Sequence, residues 1–319
     1  MKSSFLSALF ALGLSASLAC AQAPGRKKRT VTDEEVARVH KSALLIDTHN
    51  DVTSSTVAGL DIGKPNTDHM TDVQRMKKGG MGAQFFAVYV AASYVDGNRS
   101  ANRTLQMIDT VRHDIVAKYP NDFVLATTAA DIRRAHKEGK IAALLGIEGG
   151  HAIEDSPRLL RTYFDLGVRY MTLTHANSNH WADSSGDTKK PNNGLSALGK
   201  EIIAEMNRLG MIVDISHVSD KTFWDALEAS KAPIFASHSS CRAISPAPRN
   251  MTDEMIAALG KMEEFQTHVR GALRNGLTPD EIRAVLTQIA IYCGIPVGVD
   301  CFRLAKAVLS EGKKEHSLD

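Results

Sequence analysis

Six short, unbroken apolar runs, set apart by stretches long enough for helices and each passing into polar residues, constrain this chain more than any other feature. They are Ala43–Asp47, Ala83–Val90, Ile141–Ile147, Val168–Leu173, Met211–Ile215 and Pro233–Ala236. A strand with one wet face alternates apolar with polar residues, whereas a strand covered on both faces reads as continuously hydrophobic. The runs therefore predict a buried parallel sheet, and their alternation with helical segments predicts an α/β domain. Between the fourth and fifth runs, Gly194–Leu209 places Leu195, Leu198, Ile202, Ile203, Met206 and Leu209 three and four apart, an amphipathic helix stopped by Gly210.

In a closed parallel barrel the C-terminal ends of the strands converge on one face, where chemistry is done. Here those ends are alike in kind. The first run passes into Asp47-Thr48-His49-Asn50-Asp51, the third into Glu148-Gly149-Gly150-His151, the fourth into Thr174-His175, the fifth into Ser216-His217 and the sixth into Ser237-His238. Imidazoles and carboxylates gathered there are costly to bury without compensation, and a divalent cation supplies it. His49 and Asp51, two apart on extended backbone, project to the same side and can chelate one ion. Glu148 has an oxygen for each of two ions, and His217 with His238 can complete the second. This mixture of nitrogen and oxygen donors suits zinc. Two metals about 3.5–4 Å apart hold a bridging water, lower its pKa and polarise a carbonyl, the chemistry of amide hydrolysis. Taken singly, each residue has a plainer reading: a structural His-x-Asp, a hydrogen-bonded core histidine, or, for Glu148, an ion pair. The recurrence of all five at successive strand ends points to metal. His40, His69, His113, His136, His151, His180 and His316 are expected to be non-ligands.

The chain has 319 residues with a formal net charge of +2, which gives no electrostatic footprint for nucleic acid. Its 4 cysteines form no CxxC pair, so a disulfide scaffold is not expected. Residues 1–21 read as a secretory signal: Lys2, an apolar run from Phe5 to Leu18, and the cleavage site Ala19-Cys20-Ala21. That run is shorter than the ~20 residues of a transmembrane helix, so a secreted or periplasmic protein is expected. Lipidation of Cys20 is the lesser alternative, because Ser17 stands where a lipoprotein signal carries Leu. Residues 22–31, with Arg26-Lys27-Lys28-Arg29, read as a solvated leader.

The motifs together resemble a known family. Asp47-Thr48-His49-Asn50-Asp51, Gly80-Met81-Gly82-Ala83-Gln84-Phe85, Gly146-Ile147-Glu148-Gly149-Gly150, Leu173-Thr174-His175, Trp181-Ala182-Asp183, Asp214-Ile215-Ser216-His217-Val218-Ser219 and Ser237-His238-Ser239-Ser240-Cys241-Arg242 are similar, in order over residues 32–261, to the membrane dipeptidase (renal dipeptidase) family of zinc peptidases. The resemblance implies a TIM-like (β/α) barrel that hydrolyses dipeptides with two zinc ions. It implies that His49 and Asp51 bind one zinc, that Glu148 bridges both and takes part in catalysis, and that His217 and His238 bind the other. His175 resembles the residue that contacts substrate and steadies the oxyanion, and Arg249 the clamp on the dipeptide's C-terminal carboxylate. Without the resemblance, His175 reads equally well as a core histidine and Arg249 as a surface arginine.

After Lys261 the pattern changes. Glu263–Asn275, Pro279–Tyr292 and Pro296–Leu309 read as three helices, the second with Thr278 as N-cap and Pro279 at its first position. Residues 262–310 resemble the C-terminal half of the carboxymuconolactone decarboxylase family, which is all-helical, metal-free and oligomeric. The family's last strands, with an Asp near the substrate amine, are not found. Asp300 fits the helical register better than that role, His268 reads as a helix-surface residue and Cys293 as a core residue. The expectation is a barrel of about six strands followed by a helical tail at 262–319. The tail is expected either to cover the exposed sheet edges or to pair with another copy in a homo-oligomer. Ile295–Val299 fits a short strand or a helix start. Three readings follow: a zinc dipeptidase, an inactive fusion retaining metal binding or an oligomerising tail, and an enzyme acting on a lactone.

Overall fold

The computed structural model describes residues 31–259 and 278–293, together with positions 269, 272, 273, 301, 302, 305, 306, 308 and 309. The expectations for the signal and leader at 1–30, Cys20, His268, Ile295–Val299, Asp300, His316 and the Cys293 side chain lie outside what is described.

Residues up to Ala43 form one unit, whose described element is α1 (Asp33–Ser42). A capping box starts it: the Glu35 amide donates to Thr32 Oγ1, and the Thr32 amide donates to Glu35 Oε2. The second unit begins at Leu44. Its elements are β1 (Leu45–Asn50), α2 (Val52–Thr56), α3 (Val73–Lys78), β2 (Met81–Tyr89), α4 (Ser100–Thr110), β3 (Phe123–Leu125), α5 (Ala129–Lys137), β4 (Ile141–Glu148), α6 (Pro157–Asp165), β5 (Val168–Thr172), α7 (Ala197–Leu209), β6 (Ile212–Asp214), α8 (Asp220–Ala229), α9 (Asp253–Leu259) and α10 (Pro279–Cys293).

The strands make one parallel sheet in the order β1-β2-β4-β5-β6, curved as a half-barrel, with β3 beside β4. Along its length β4 is paired by β2, from Ala83 opposite Ala142 to Tyr89 opposite Glu148. Its other edge is shared: β3 takes Ile141–Ala143, and β5 takes over from Leu145 to Glu148. The α/β barrel-type class expected from the apolar runs is therefore what forms. Strand alternation sorts the residues. Ile141, Ala143, Leu145 and Ile147 of β4 join the large cluster with Trp181, Ile202 and Phe223, while Ala142 and Leu144 face a smaller cluster with Ala83, Phe85 and Tyr170. Glu148 shares the parity of Ala142 and Leu144, so the inward face of β4 ends in its carboxylate.

Three details differ from the sequence reading. First, β3 is a strand that the sequence did not announce; three residues carry too little pattern to register. Second, Pro233–Ala236 is not a strand. Only Phe235 bridges to β6, its N–H donating to Val213 and its C=O accepting from Ile215; Pro233 has no N–H to extend the ladder. Third, β1 is only partly buried, because it is an end strand with a neighbour on one side. It also runs on to Asn50, so that His49 lies inside the strand rather than beyond it.

α7 has Ser196 as N-cap and ends at Gly210, whose φ of 79° is left-handed. Thr278 caps α10 as expected, accepting from the Glu281 amide. In the tail Val269, Ile282, Leu286, Cys301, Ala305 and Val308 cluster together. Among the described residues no helix is long and apolar enough to cross a membrane.

Candidate metal centre

Glu148, at the end of β4, is buried, and imidazoles from β1 and from the segments after β5, β6 and Phe235 lie close to its two oxygens. His217 Nε2 lies 3.0 Å and His238 Nε2 3.1 Å from Oε1, with His175 Nε2 at 3.8 Å. His49 Nε2 lies 3.5 Å from Oε2 and 3.4 Å from Asp51 Oδ1. The two oxygens thus face different groups, His49 with Asp51 on one side and His217 with His238 on the other. Two sets of three donors, His49–Glu148–His238 and Glu148–His175–His217, each fall within 4.8 Å. The rings are packed together, His49 stacking on His238 at 3.8 Å and Tyr89 meeting His175 edge-on at 4.8 Å. A pocket of about 290 Å³ opens onto them, lined by Asp51, Ser54, Tyr89, Glu148, His175, His217, His238 and Arg249.

The donors fit a divalent ion. Ligands on a tetrahedron with zinc–nitrogen bonds of about 2.0–2.1 Å stand roughly 3.3 Å from one another, which is the spacing found around Glu148. His49 supplies an independent sign: its Nε2 is buried with no hydrogen-bond partner, a state that a metal bond would satisfy. The opposite ring nitrogen, Nδ1, lies 2.9 Å from the Tyr170 hydroxyl, which donates to Thr48 O at 3.2 Å. Tyr170 therefore accepts from Nδ1–H, so that in the neutral ring the lone pair is on Nε2, where a metal would take it.

Electrostatics agree. Burial disfavours a charged His49, but the Asp51 and Glu148 carboxylates close to Nε2 outweigh it and hold its pKa up at about 10. Burial also disfavours the Glu148 carboxylate, yet His217, His238 and His49 hold its pKa far below the usual range. A proton on His49 thus compensates the acids when no metal does. Burial pushes His175 and His238 down, so both rings are neutral at pH 7.

Local folding explains how these side chains are held. His217 adopts φ 66°, costly for a residue with a Cβ. Its carbonyl accepts from the Ser185 amide at 2.8 Å, Ser185 Oγ at 2.9 Å, Thr174 Oγ1 at 3.1 Å and Ser184 Oγ at 3.2 Å. Those bonds fix the strained turn that aims the ring. Arg249 is half-buried at the pocket wall; Nη2 donates to His238 O at 2.7 Å and Nε is buried without a partner.

All seven residues singled out from the sequence, His49, Asp51, Glu148, His175, His217, His238 and Arg249, line or face this one pocket. The side chains that support them were not foreseen. Tyr170 left one trace: Gly146 lies opposite it within β4, and a Cβ there would collide with the Tyr170 ring, the close approach that an interior strand glycine signals. His151, expected to be a non-ligand, is buried, with Nε2 2.8 Å from Val90 O. His180 pairs with Asp155 at 2.5 Å.

Comparison with known proteins places this geometry. The model of the membrane dipeptidase family (peptidase family M19) matches residues 33–265, and that of the carboxymuconolactone decarboxylase family matches residues 252–307. The chain is 39% identical over 228 residues to an uncharacterized dipeptidase of Schizosaccharomyces pombe, covering 66% of this chain and 56% of the relative. It is 36% identical over 251 residues to the dipeptidase verJ of Clonostachys rogersoniana, covering 73% and 64%. Among solved structures it is similar to a metallo peptidase from Rhodobacter sphaeroides liganded with a phosphinate mimic of the dipeptide L-Ala-D-Ala (25% identity, TM-score 0.59, 68% of this chain and 70% of that one). An amidohydrolase from Pseudomonas aeruginosa is also similar (28% identity, TM-score 0.58, 70% and 61%). The chain spans 56–64% of the length of these curated relatives and of a second dipeptidase of S. pombe.

Proposed function

The chain belongs to the membrane dipeptidase family, and from that premise we propose that it is a zinc-dependent dipeptidase that hydrolyses the peptide bond of dipeptides. The observation that carries this reading is the convergence of His49, His217 and His238 on the two oxygens of the buried Glu148, with Asp51 beside His49. His49 and Asp51 would hold one zinc ion, His217 and His238 another, and Glu148 both. When bound, the pair supplies Lewis acidity, lowering the pKa of water between them towards neutrality and polarising the scissile carbonyl.

The chain's own residues do the rest. Arg249 presents a guanidinium to the pocket, matched to a carboxylate that it can bind bidentately. His175, neutral and beside His217, is placed to donate to the carbonyl oxygen as negative charge develops there. Ser54 and Tyr89 complete the wall. Residues 1–21 would direct the chain to a periplasm or outside the cell. The tail at 262–319, much of which falls within the stretch matched by the second family model, would cover the sheet edge or pair copies into a homo-oligomer.

A second reading, an inactive fusion that keeps its metal centre, is favoured by one observation: the described strands make a half-barrel rather than a closed barrel. Zinc content per chain and dipeptide hydrolysis with and without a chelator separate the two. Chelator-sensitive turnover supports the dipeptidase, and two bound zinc ions without turnover support the inactive fusion.

A further inference from the structure

Behind His238 lies a buried polar chain that reaches across the ends of β5 and β6. His238 Nδ1 is 2.6 Å from Ser237 Oγ, and Ser237 Oγ is 2.6 Å from Asp214 Oδ2. The same Oδ2 accepts from Thr172 Oγ1 at 2.5 Å, while Oδ1 accepts from the amides of Ser216 at 3.1 Å and Ser237 at 2.9 Å. Asp214 is fully buried. With four donors around its two oxygens it acts as an acceptor only, so the Ser237 proton points to Asp214 and Ser237 Oγ must accept from His238 Nδ1–H. Ser216 Oγ closes the network, accepting from the His238 amide at 3.1 Å.

On the other side of Glu148 the arrangement is different in kind. His49 is backed by Tyr170, a neutral phenol that hands its own proton to a backbone carbonyl. A carboxylate behind a ligating imidazole orients it and raises its basicity, and removal of such a partner costs metal affinity. The Nδ1 bond of His238 leads through Ser237 to Asp214, and that of His49 leads to Tyr170.

We propose that Asp214 and Ser237 form a positioning relay that holds the Nδ1 proton of His238 and thereby governs the affinity of the ion that His217 and His238 would hold, separately from the ion that His49 would hold, which Tyr170 serves. The relay rests on the zinc reading above, but not on turnover.

The test is to strip the full-length chain of metal and titrate it with zinc against a competing chromophoric chelator. Ser237→Ala is expected to weaken one of two zinc ions by about 10- to 100-fold and leave the other unchanged. Ser237→Thr, which keeps the hydroxyl, should restore it. Asp214→Asn, similar in shape but uncharged, should weaken the same ion. Tyr170→Phe should weaken the other, and the Ser237→Ala/Tyr170→Phe double variant should weaken both. The relay is overturned if Ser237→Ala or Asp214→Asn binds both ions as the parent does, if Ser237→Thr behaves like Ser237→Ala, or if the double variant weakens only one. A parent chain that takes up no zinc overturns the metal reading itself.

Discussion

His217, after β6, and His238, after the single bridge at Phe235, bring their Nε2 atoms within 2.9 Å of each other against the same oxygen of Glu148. Two neutral imidazoles gain at most one hydrogen bond from such an approach, whereas both lone pairs turned on a shared cation gain two ligand bonds.

On the proposed reading Glu148→Ala should therefore do more harm than loss of any one histidine, because it would remove a donor from both ions. Zinc content is expected to fall from two per chain to one or fewer, and kcat/KM on the order of 10³-fold, the several kcal/mol that metal stabilisation supplies. Elemental analysis beside kinetics checks this; undiminished zinc and turnover would refute the bridging role.

Arg249→Ala should act on substrate capture. A charged hydrogen bond is worth ~1.5–3 kcal/mol, so KM for dipeptides with a free C-terminus should rise about 10- to 100-fold with little change in kcat. The same dipeptides amidated at the C-terminus should be affected much less. Equal effects on both series would contradict the clamp.

Zinc binding should be linked to protons in a defined direction. The pKa of His49, held at about 10 by Asp51 and Glu148 against the effect of burial, leaves the ring protonated at pH 7 in zinc-stripped protein, and ligation requires it neutral. Affinity should then rise with pH through the neutral range, by about tenfold per unit for each proton displaced. Calorimetry in buffers of different ionisation enthalpy reports that release, and zero protons per zinc loaded would contradict the assignment.

Gly146→Ala tests the support of the centre rather than its donors. The added Cβ meets the Tyr170 ring, an overpacking that costs about 1–3 kcal/mol. A lower melting temperature is expected together with loss of zinc from the His49 side. Wild-type melting and zinc content would show that the ring has room to move.

The ligand-type residues were legible because strand-end position is a one-dimensional signal. Asp47–Asp51, Glu148, His175, His217 and His238 each follow an apolar run, and a parallel sheet converts that pattern into one face of a fold. Tyr170, Asp214 and Ser237 were not legible in the same way, since what makes them useful is a contact between strands. Tyr170 sits in an apolar run and looks like core until the position of His49 is known. The strand at 123–125 and the reduction of 233–236 to one bridge were missed because pairing at an edge depends on which neighbours exist, which local composition does not encode.

The central claim is that these side chains enclose a pair of ions. Zinc per chain, measured on monodisperse full-length protein alongside dipeptide hydrolysis before chelation, after it and after zinc is returned, tests it most directly. The account predicts two zinc ions, activity that vanishes with them and activity that comes back. Protein that holds no zinc, or that cleaves dipeptides equally well after the metal is removed, would contradict it.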